Sequence, residues 1–210
     1  MVFGVFQCTG LWGGYHVLTK ENVLSDYLRK LGFEFCFYDN KITMKRNGEK
    51  VEIEKLGFSN LKMRLGGEKT FNDFNVNGYL FIDEFELVAV RGWLGSPEIL
   101  KSLANSYGEN RIADNYAEKC INYYVSFDVP IEKVDIEGFS AWLDNGKKTE
   151  ILLKYTINAL AYEESKRKSY FKMYNPIIML KRNYDIPGSD VRKIWRFEYK
   201  SSKLVPVDYN

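Results

Sequence analysis

Residues 33–54 alternate apolar and polar side chains around a tight-turn dipeptide, and this pattern constrains the fold more than any other part of the sequence. Phenylalanine occupies every second position of the first run, at Phe33, Phe35 and Phe37. Because side chains of a strand point alternately to its two faces, these rings share one face of a sheet. Asn47-Gly48 is a dipeptide typical of a two-residue hairpin turn. The pattern predicts an antiparallel meander that is solvated on one face, with strands at 33–38, 41–46 and 50–54.

Helical spacing appears directly before this meander. The apolar side chains of one helical stripe are Val23, Leu24, Tyr27, Leu28 and Leu31. We expect a helix over about 20–31, capped by Thr19 and ended by Gly32, and we expect its stripe to pack on the phenylalanine face of the meander. A second helix is predicted to begin at 96–98, with Ser96 as the capping residue and Pro97 at the first helical position.

The C-terminal half is also expected to be rich in strands. Residues 121–129 read as one strand, residues 169–174 as another and residues 191–200 as the last. Between 149 and 162, apolar and polar residues alternate, which favours a strand over a helix. The predicted fold class is therefore α+β, with antiparallel meanders and a few helices packed on one face. No Pro/Gly/Ser-rich linker divides the chain, so a single domain over 1–210 is expected.

The composition indicates the cellular compartment and limits which residues could carry out catalysis. The three cysteines are far apart in sequence and form no CxxC pair, which favours a reducing compartment. The N-terminus lacks the basic region of a signal peptide and no apolar run is long enough to span a bilayer, so we expect a cytoplasmic protein without membrane contact. His16 is the only histidine, which excludes multi-histidine metal sites. Catalysis, if present, must use carboxylates, tyrosines and basic residues.

Charge is distributed unevenly along the chain. The net charge is +2, but residues 147–203 hold 14 Lys and Arg against 6 Asp and Glu, a net of +8. The remaining residues hold 16 against 22, a net of −6. A concentrated basic segment is what a nucleic-acid surface requires, because each neutralised phosphate releases counterions. A solvated, lysine-rich sheet face would give the same composition.

Two runs inside the basic segment suggest a binding surface. Residues 166–174 interleave cations with rings, the two components of a single-strand platform: Lys166, Arg167, Lys168 and Lys172 with Tyr170 and Tyr174. In the last predicted strand, Arg196, Glu198 and Lys200 fall on one face. A carboxylate between two cations can hold a metal ion or orient a phosphate, although ordinary solvated strands also look like this. A tyrosine hydroxyl among lysines can also attack a phosphodiester.

Three short motifs follow one another in the C-terminal half: INYYVSFDV at 121–129, SYFKMYNP at 169–176 and IWRFEYK at 194–200. In content and order they resemble motifs of the rolling-circle replication initiation family of plasmids and phages, which nick DNA with a tyrosine. The resemblance covers about half the chain, roughly residues 78–203. It implies Tyr170 or Tyr174 as nucleophile, and Asp128 with Glu198 as ligands of Mg²⁺ or Mn²⁺. It also implies DNA rather than RNA as partner, contacted by the basic residues of the two runs.

This sequence departs from the family pattern at two points. Asn122 and Tyr124 stand where the family has an Arg-x-Asp motif, and Pro176 stands where it has lysine. Three hypotheses therefore remain open: a DNA-binding, replication-initiator-like protein of a mobile element that nicks DNA through a tyrosine; a nucleic-acid-binding module without catalysis; and a structural or protein-interaction domain.

Overall fold

Helices and antiparallel sheets make up the fold, as the α+β prediction requires. The computed structural model describes residues 6–7, 10–11, 15–38, 41–56, 61, 65, 76–81, 96–119, 123–139, 142–165, 175–181, 184–200 and 203–208. The strands are β1 (Phe6–Gln7), β2 (Gly10–Leu11), β3 (Phe33–Tyr38), β4 (Lys41–Arg46), β5 (Glu49–Val51), β6 (Asn77–Tyr79), β7 (Tyr123–Phe127), β8 (Val134–Ile136), β9 (Ile177–Leu180), β10 (Ile186–Pro187), β11 (Val191–Lys200) and β12 (Lys203–Asp208). The helices are α1 (His16–Thr19), α2 (Val23–Lys30), α3 (Glu98–Tyr107), α4 (Arg111–Ala117) and α5 (Asn145–Ser165). Within the described residues, the strands form four three-stranded sheets, ordered β1-β2-β10, β3-β4-β5, β6-β9-β8 and β12-β11-β7.

The predicted meander is confirmed in β3, β4 and β5. Its register pairs Phe33 with Arg46 and Phe37 with Ile42. Asn47 and Gly48 both have positive φ, 51° and 84°, as a type I′ hairpin turn requires. The third strand is shorter than predicted, because the chain leaves β5 after Val51 and forms a 3₁₀ turn at Ile53–Lys55.

The helix before the meander is confirmed, but its cap is Asn22 and not Thr19. The Asn22 side chain accepts hydrogen bonds from the backbone N–H groups of Leu24, at 2.9 Å, and Ser25, at 3.0 Å. Ser25 Oγ accepts in return from the Asn22 N–H, which completes a reciprocal capping arrangement. Thr19 instead lies in the short helix α1 and donates its hydroxyl to Tyr15 O. Thr19 and Asn22 lie three positions apart and both have side chains that can cap a helix, so the sequence alone does not distinguish them.

A first hydrophobic core joins these elements. Leu24 and Leu28 of α2, Phe33 of β3 and Met44 of β4 are at most 1% exposed. Leu100 and Leu103 of α3 belong to the same core, together with residues of α4. Helix α3 begins at Glu98, one residue later than predicted, because Pro97 has an extended ψ of 141° and occupies the capping position, while the Ser96 hydroxyl donates to Pro97 O.

A second hydrophobic core lies beneath the C-terminal strands. It contains Val125 of β7, Val134 and Ile136 of β8, Leu180 of β9 and Ile151 of α5. These residues come from separate parts of the chain, so the core depends on long-range packing. The sheet β6-β9-β8 and strands β7 and β11 all contribute to it.

The strand predicted over 149–162 is wrong, because these residues belong to the 21-residue helix α5. The Asp144 side chain caps the helix by accepting from the Lys147 N–H at 2.8 Å. Ile151 and Ala159 are buried, whereas Leu153 and Ile157 are more than half exposed. Residues at i, i+4 and i+8 share one helix face, so two apolar stripes on opposite faces produce the same alternation in sequence as a strand.

The strand at 191–200 is confirmed as β11, but it is not the last strand. It pairs with β7 on one side and with β12 on the other. The strand predicted over 169–174 lies outside the described residues. Among the residues that the structure describes, no helix has both the length and the apolar content that crossing a bilayer needs.

The first prediction tests the buried face of the meander. Phe35→Ala should lower the free energy of unfolding by about 3–5 kcal/mol, because it empties an aromatic site in a core. The Phe35 side chain is 8% exposed. Tyr38→Ala removes a ring from the same strand where it is 81% exposed, and we expect a change within about 0.5 kcal/mol. Urea unfolding monitored by circular dichroism measures both, and equal effects would contradict the assigned faces.

The second prediction tests α5 as a helix through the acidity of Glu150. Its carboxylate lies 2.7 Å from Lys147 Nζ and 2.6 Å from Lys154 Nζ, contacts that i,i+3 and i,i+4 helical spacing allows and a strand does not. Hydrogen bonds from Lys147 and then Lys154 lower the pKa of Glu150 from 4.5 to about 2. Because the folded pKa is depressed, the stabilisation is present above about pH 4.5 and is lost as pH falls through about 2.

An NMR titration of the Glu150 carboxyl carbon should therefore have its midpoint near pH 2. In the double variant Lys147→Gln, Lys154→Gln, the midpoint should return toward the ordinary glutamate value, because both hydrogen-bond donors are gone. A midpoint near 4.5 in the unaltered protein would show that these ion pairs do not form in solution.

Candidate nucleic-acid interface

Asp128 and Glu198 lie on neighbouring strand segments but at opposite ends. Asp128 follows β7 and its N–H donates to Asp190 O, at the start of β11. Glu198 pairs with Val205 near the other end of β11. Glu198 comes seven positions after Val191, and at about 3.3 Å per residue this spacing is on the order of 20 Å. Oxygen ligands of Mg²⁺ lie about 2.1 Å from the ion, so this register does not bring the two residues to one metal ion.

The carboxylate of Asp128 is held instead by Arg192. Arg192 Nε lies 2.6 Å from Asp128 Oδ2, and Nη2 lies 2.5 Å from the same oxygen. Both side chains are more than 60% exposed. The hydrogen bond to Asp128 raises the pKa of Arg192 above its ordinary value. The residues present therefore do not fit the metal site that the resemblance implies, and among the described residues there is no group of three metal-ligating side chains.

An irregularity in the strand pairing sets which side chains face outward. Val191 pairs with Phe127 and Lys193 pairs with Ser126, so Arg192 is the extra residue of a β-bulge. Ile194 comes three positions after Val191, so in a regular strand the two side chains would point to opposite faces. The bulge lets both pack on the second core. Arg192 and Lys193 are both exposed as a result. A strictly alternating strand would have turned one of these cations toward the core.

Aromatic side chains lie next to these cations on the outward side of the sheet. Trp195 of β11 pairs with Tyr124 of β7, and their ring centroids are 5.7 Å apart with an interplanar angle of 67°. Lys193 Nζ lies 5.1 Å from the centroid of the Trp195 ring. We call Tyr124, Arg192, Lys193 and Trp195 the outer patch. It combines rings that are partly exposed with two cations, on the central strand of a sheet and its neighbour.

Of the residues that the sequence predicted to bind nucleic acid, Arg196 and Lys200 are described, and neither belongs to the outer patch. Arg196 is exposed, but it shares the alternate face of β11 with Ile194 and pairs with Tyr123 and Val207. Lys200 pairs with Lys203 at the far end of the strand. Six predicted site residues lie outside the described residues: Lys166, Arg167, Lys168, Tyr170, Lys172 and Tyr174.

Much of the basic charge in 147–203 is matched by nearby carboxylates. Lys147 and Lys154 pair with Glu150, Lys148 and Lys181 pair with Asp135, and Arg192 pairs with Asp128. Asp128 and Asp135 lie before the segment in sequence, so the net charge of +8 overstates what the folded surface presents. The charge asymmetry by itself is a weak guide to the interface.

One of these lysines is buried and structural. The Lys148 side chain is 4% exposed, and its Nζ donates to Val134 O at 2.5 Å and to Asp135 Oδ1 at 3.3 Å. Lys181 Nζ lies 2.6 Å from the same carboxylate. A buried cation needs such partners, because desolvation of an unpaired charge is costly. This cluster holds α5 against β8 and the end of β9.

The single histidine makes a long-range contact that sequence reasoning missed. His16 Nδ1 lies 2.8 Å from both carboxylate oxygens of Asp185, and Lys20 Nζ lies 3.1 Å from one of them. Asp185 comes 169 residues later in the chain, directly before β10, so no local pattern could have indicated the pair. The contact connects α1, which packs on the first core, to a strand of the second.

A separate surface feature lies on α5. Leu153, Ile157 and Leu160 are 56%, 63% and 59% exposed, and their i, i+4, i+7 spacing aligns them along one helix face. Exposed apolar stripes of this kind are found at protein–protein contacts. The third hypothesis from the sequence, a protein-interaction domain, therefore has a surface of suitable chemistry.

Comparison of the chain with models of protein families, with curated proteins and with solved structures finds no match.

Proposed function

We propose that the chain is a nucleic-acid-binding module that uses the outer patch, with DNA as the first partner to test. The observation that supports this best is the contact of Lys193 and Tyr124 with the Trp195 ring. Rings and cations on one sheet surface are the two components of single-strand binding platforms.

The composition of the patch supports binding more than simple solvation. A sheet face that only meets water is usually covered by small polar and charged residues. Here the central strand presents tryptophan, whose large apolar surface is costly to leave exposed. Its edge-on contact with Tyr124 restricts the orientation of both rings. A ring that is already oriented loses less conformational entropy when a ligand stacks on it.

The cations of the patch supply the electrostatic part of the proposal. Lys193 is exposed and its ammonium lies over the Trp195 ring, so a phosphate bound to it would lie close to the rings. Arg192 presents a guanidinium next to it, which can bind phosphate in a bidentate manner. Asp128 competes for this guanidinium, because it already accepts a hydrogen bond from Arg192 Nε and forms an ion pair with Nη2. The proposal therefore assigns Asp128 a restraining role in place of metal binding.

Nicking by Tyr170 or Tyr174 with Mg²⁺ or Mn²⁺ remains a prediction from the family resemblance. The carboxylate pair that it requires is separated by most of β11. The binding proposal needs neither tyrosine. A role in replication of a mobile element rests on the same resemblance and stays with it.

The third prediction concerns the salt dependence of binding. For a single-stranded oligonucleotide, the logarithm of the association constant should fall linearly with the logarithm of the salt concentration. Lys193→Gln should reduce the steepness of this line by about 0.7, the value for one phosphate contact. Lys154→Gln is the matched control, since it removes the same charge from α5. Fluorescence anisotropy at several salt concentrations measures the slopes. Absence of binding at low salt, or equal slopes for both variants, would overturn the proposed function.

The fourth prediction separates binding from the metal-ligand hypothesis. Asp128→Asn should tighten oligonucleotide binding, because it releases Arg192 from its ion pair and removes a negative charge from the patch. We expect an effect of about 2- to 5-fold, the size expected for a surface ion pair. The metal-ligand hypothesis makes the opposite prediction: loss of Mg²⁺-dependent function. Weaker binding by Asp128→Asn, restored by a higher Mg²⁺ concentration, would contradict the restraining role.

A further inference from the structure

We infer that Trp195 is the stacking residue for an unpaired base, with Tyr124 as the residue that positions it. This inference rests on the proposed function, because it names the form of nucleic acid that the outer patch accepts. It implies a preference for single strands over duplex.

The position of Trp195 in the sheet is the first reason. Strand β11 is central, with β7 on one side and β12 on the other. Neighbouring strands are about 4.8 Å apart, so three strands with their side chains are wider than the roughly 12 Å major groove, which admits a two-stranded ribbon. A ring in the middle of such a surface does not reach the base edges of a duplex. A single strand can lie across the same surface.

The chemistry of the ring is the second reason. In a duplex, both faces of every internal base are covered by neighbouring base pairs, so an aromatic side chain stacks only on bases that are unpaired or splayed out. Indole offers a large ring for this contact, and every base has a matching π-face. Stacking on Trp195 would therefore select unpaired bases without any hydrogen bond to the base edges.

The contact with Tyr124 is the third reason. The two residues are directly opposite in the register of β7 and β11, and their rings meet edge-on at 5.7 Å. Cross-strand aromatic pairs restrict each other's rotamers. Tyr124 therefore supports the orientation of the indole. Lys193 Nζ lies over the same ring, and its long side chain can move aside from the ring to meet the phosphate of the stacked nucleotide.

The test compares two probes of equal charge. One is a fluorescent 12-nucleotide oligothymidylate, and the other is a 12-unit abasic strand with tetrahydrofuran spacers and the same number of phosphates. We expect the unaltered protein to bind the oligothymidylate about 10-fold more tightly, the size of one or two stacking contacts. Trp195→Leu should reduce this preference to below about 2-fold through weaker binding of the oligothymidylate, because the stacking surface is lost.

Matched variants separate the ring from general effects of losing an aromatic residue. Trp142→Leu removes a tryptophan that is 93% exposed outside the patch, and it should keep the full preference. Tyr124→Leu should lower the preference partly, because the indole loses its support. Circular dichroism establishes that each variant is folded. If Trp195→Leu is unfolded, photocrosslinking of the unaltered protein to an oligonucleotide with 5-iodouracil replaces it, and mass spectrometry should locate the adduct at Trp195 or Tyr124.

The outcomes distinguish this inference from the proposed function. Equal affinity for the two probes, a preference that survives Trp195→Leu, or adducts only outside the patch would each overturn base stacking. Salt-dependent binding that still requires Lys193 would in that case leave the proposed function in place. Binding of neither probe at low salt would overturn both.

Discussion

The pairing of β11 with β7, together with the extra residue at Arg192, determines most of what the C-terminal half presents to solvent. The bulge changes which side chains face the core, so Val191 and Ile194 pack inward while Arg192 and Lys193 stay exposed. The same register places Trp195 opposite Tyr124. It also places Asp128 beside the guanidinium of Arg192, far from Glu198. The bulge thus exposes the two cations of the outer patch, and the antiparallel register places the two residues of the implied metal site at opposite ends of β11.

Charged residues divide into those that hold the fold together and those that remain at the surface. Lys148 is surrounded by protein, and Asp135 and Val134 O compensate its charge. Its role is to attach α5 to the sheet, so it adds nothing to an electrostatic surface. Arg192 and Lys193 are exposed, and Lys193 Nζ lies over the Trp195 ring. Two segments of equal formal charge can therefore produce very different electrostatic potentials at the protein surface, because burial and ion pairing reduce the charge that is exposed to solvent.

Helix α5 illustrates why a pattern of period two is ambiguous over a long run. Ile151 and Ala159 belong to a buried stripe, while Leu153 and Ile157 belong to an exposed one. Both stripes have helical spacing, yet together they fill every second position. Its length argues for a helix, since strands rarely exceed about 10 residues. The capping side chain of Asp144 is a second local signal that sequence reasoning could have used.

The sequence by itself determined the features that depend on neighbours along the chain. The phenylalanines of β3 alternate within a few residues, and the Asn47-Gly48 turn needs only positive φ at two positions, so the meander and its buried face were predictable. Helix α2 and strands β7 and β11 were predictable for the same reason. Only the tertiary structure decided the pairing of His16 with Asp185, the burial of Lys148 and the contact of Trp195 with Tyr124. These contacts join residues far apart in sequence, and their partners are set by strand register and core packing, which no local pattern encodes.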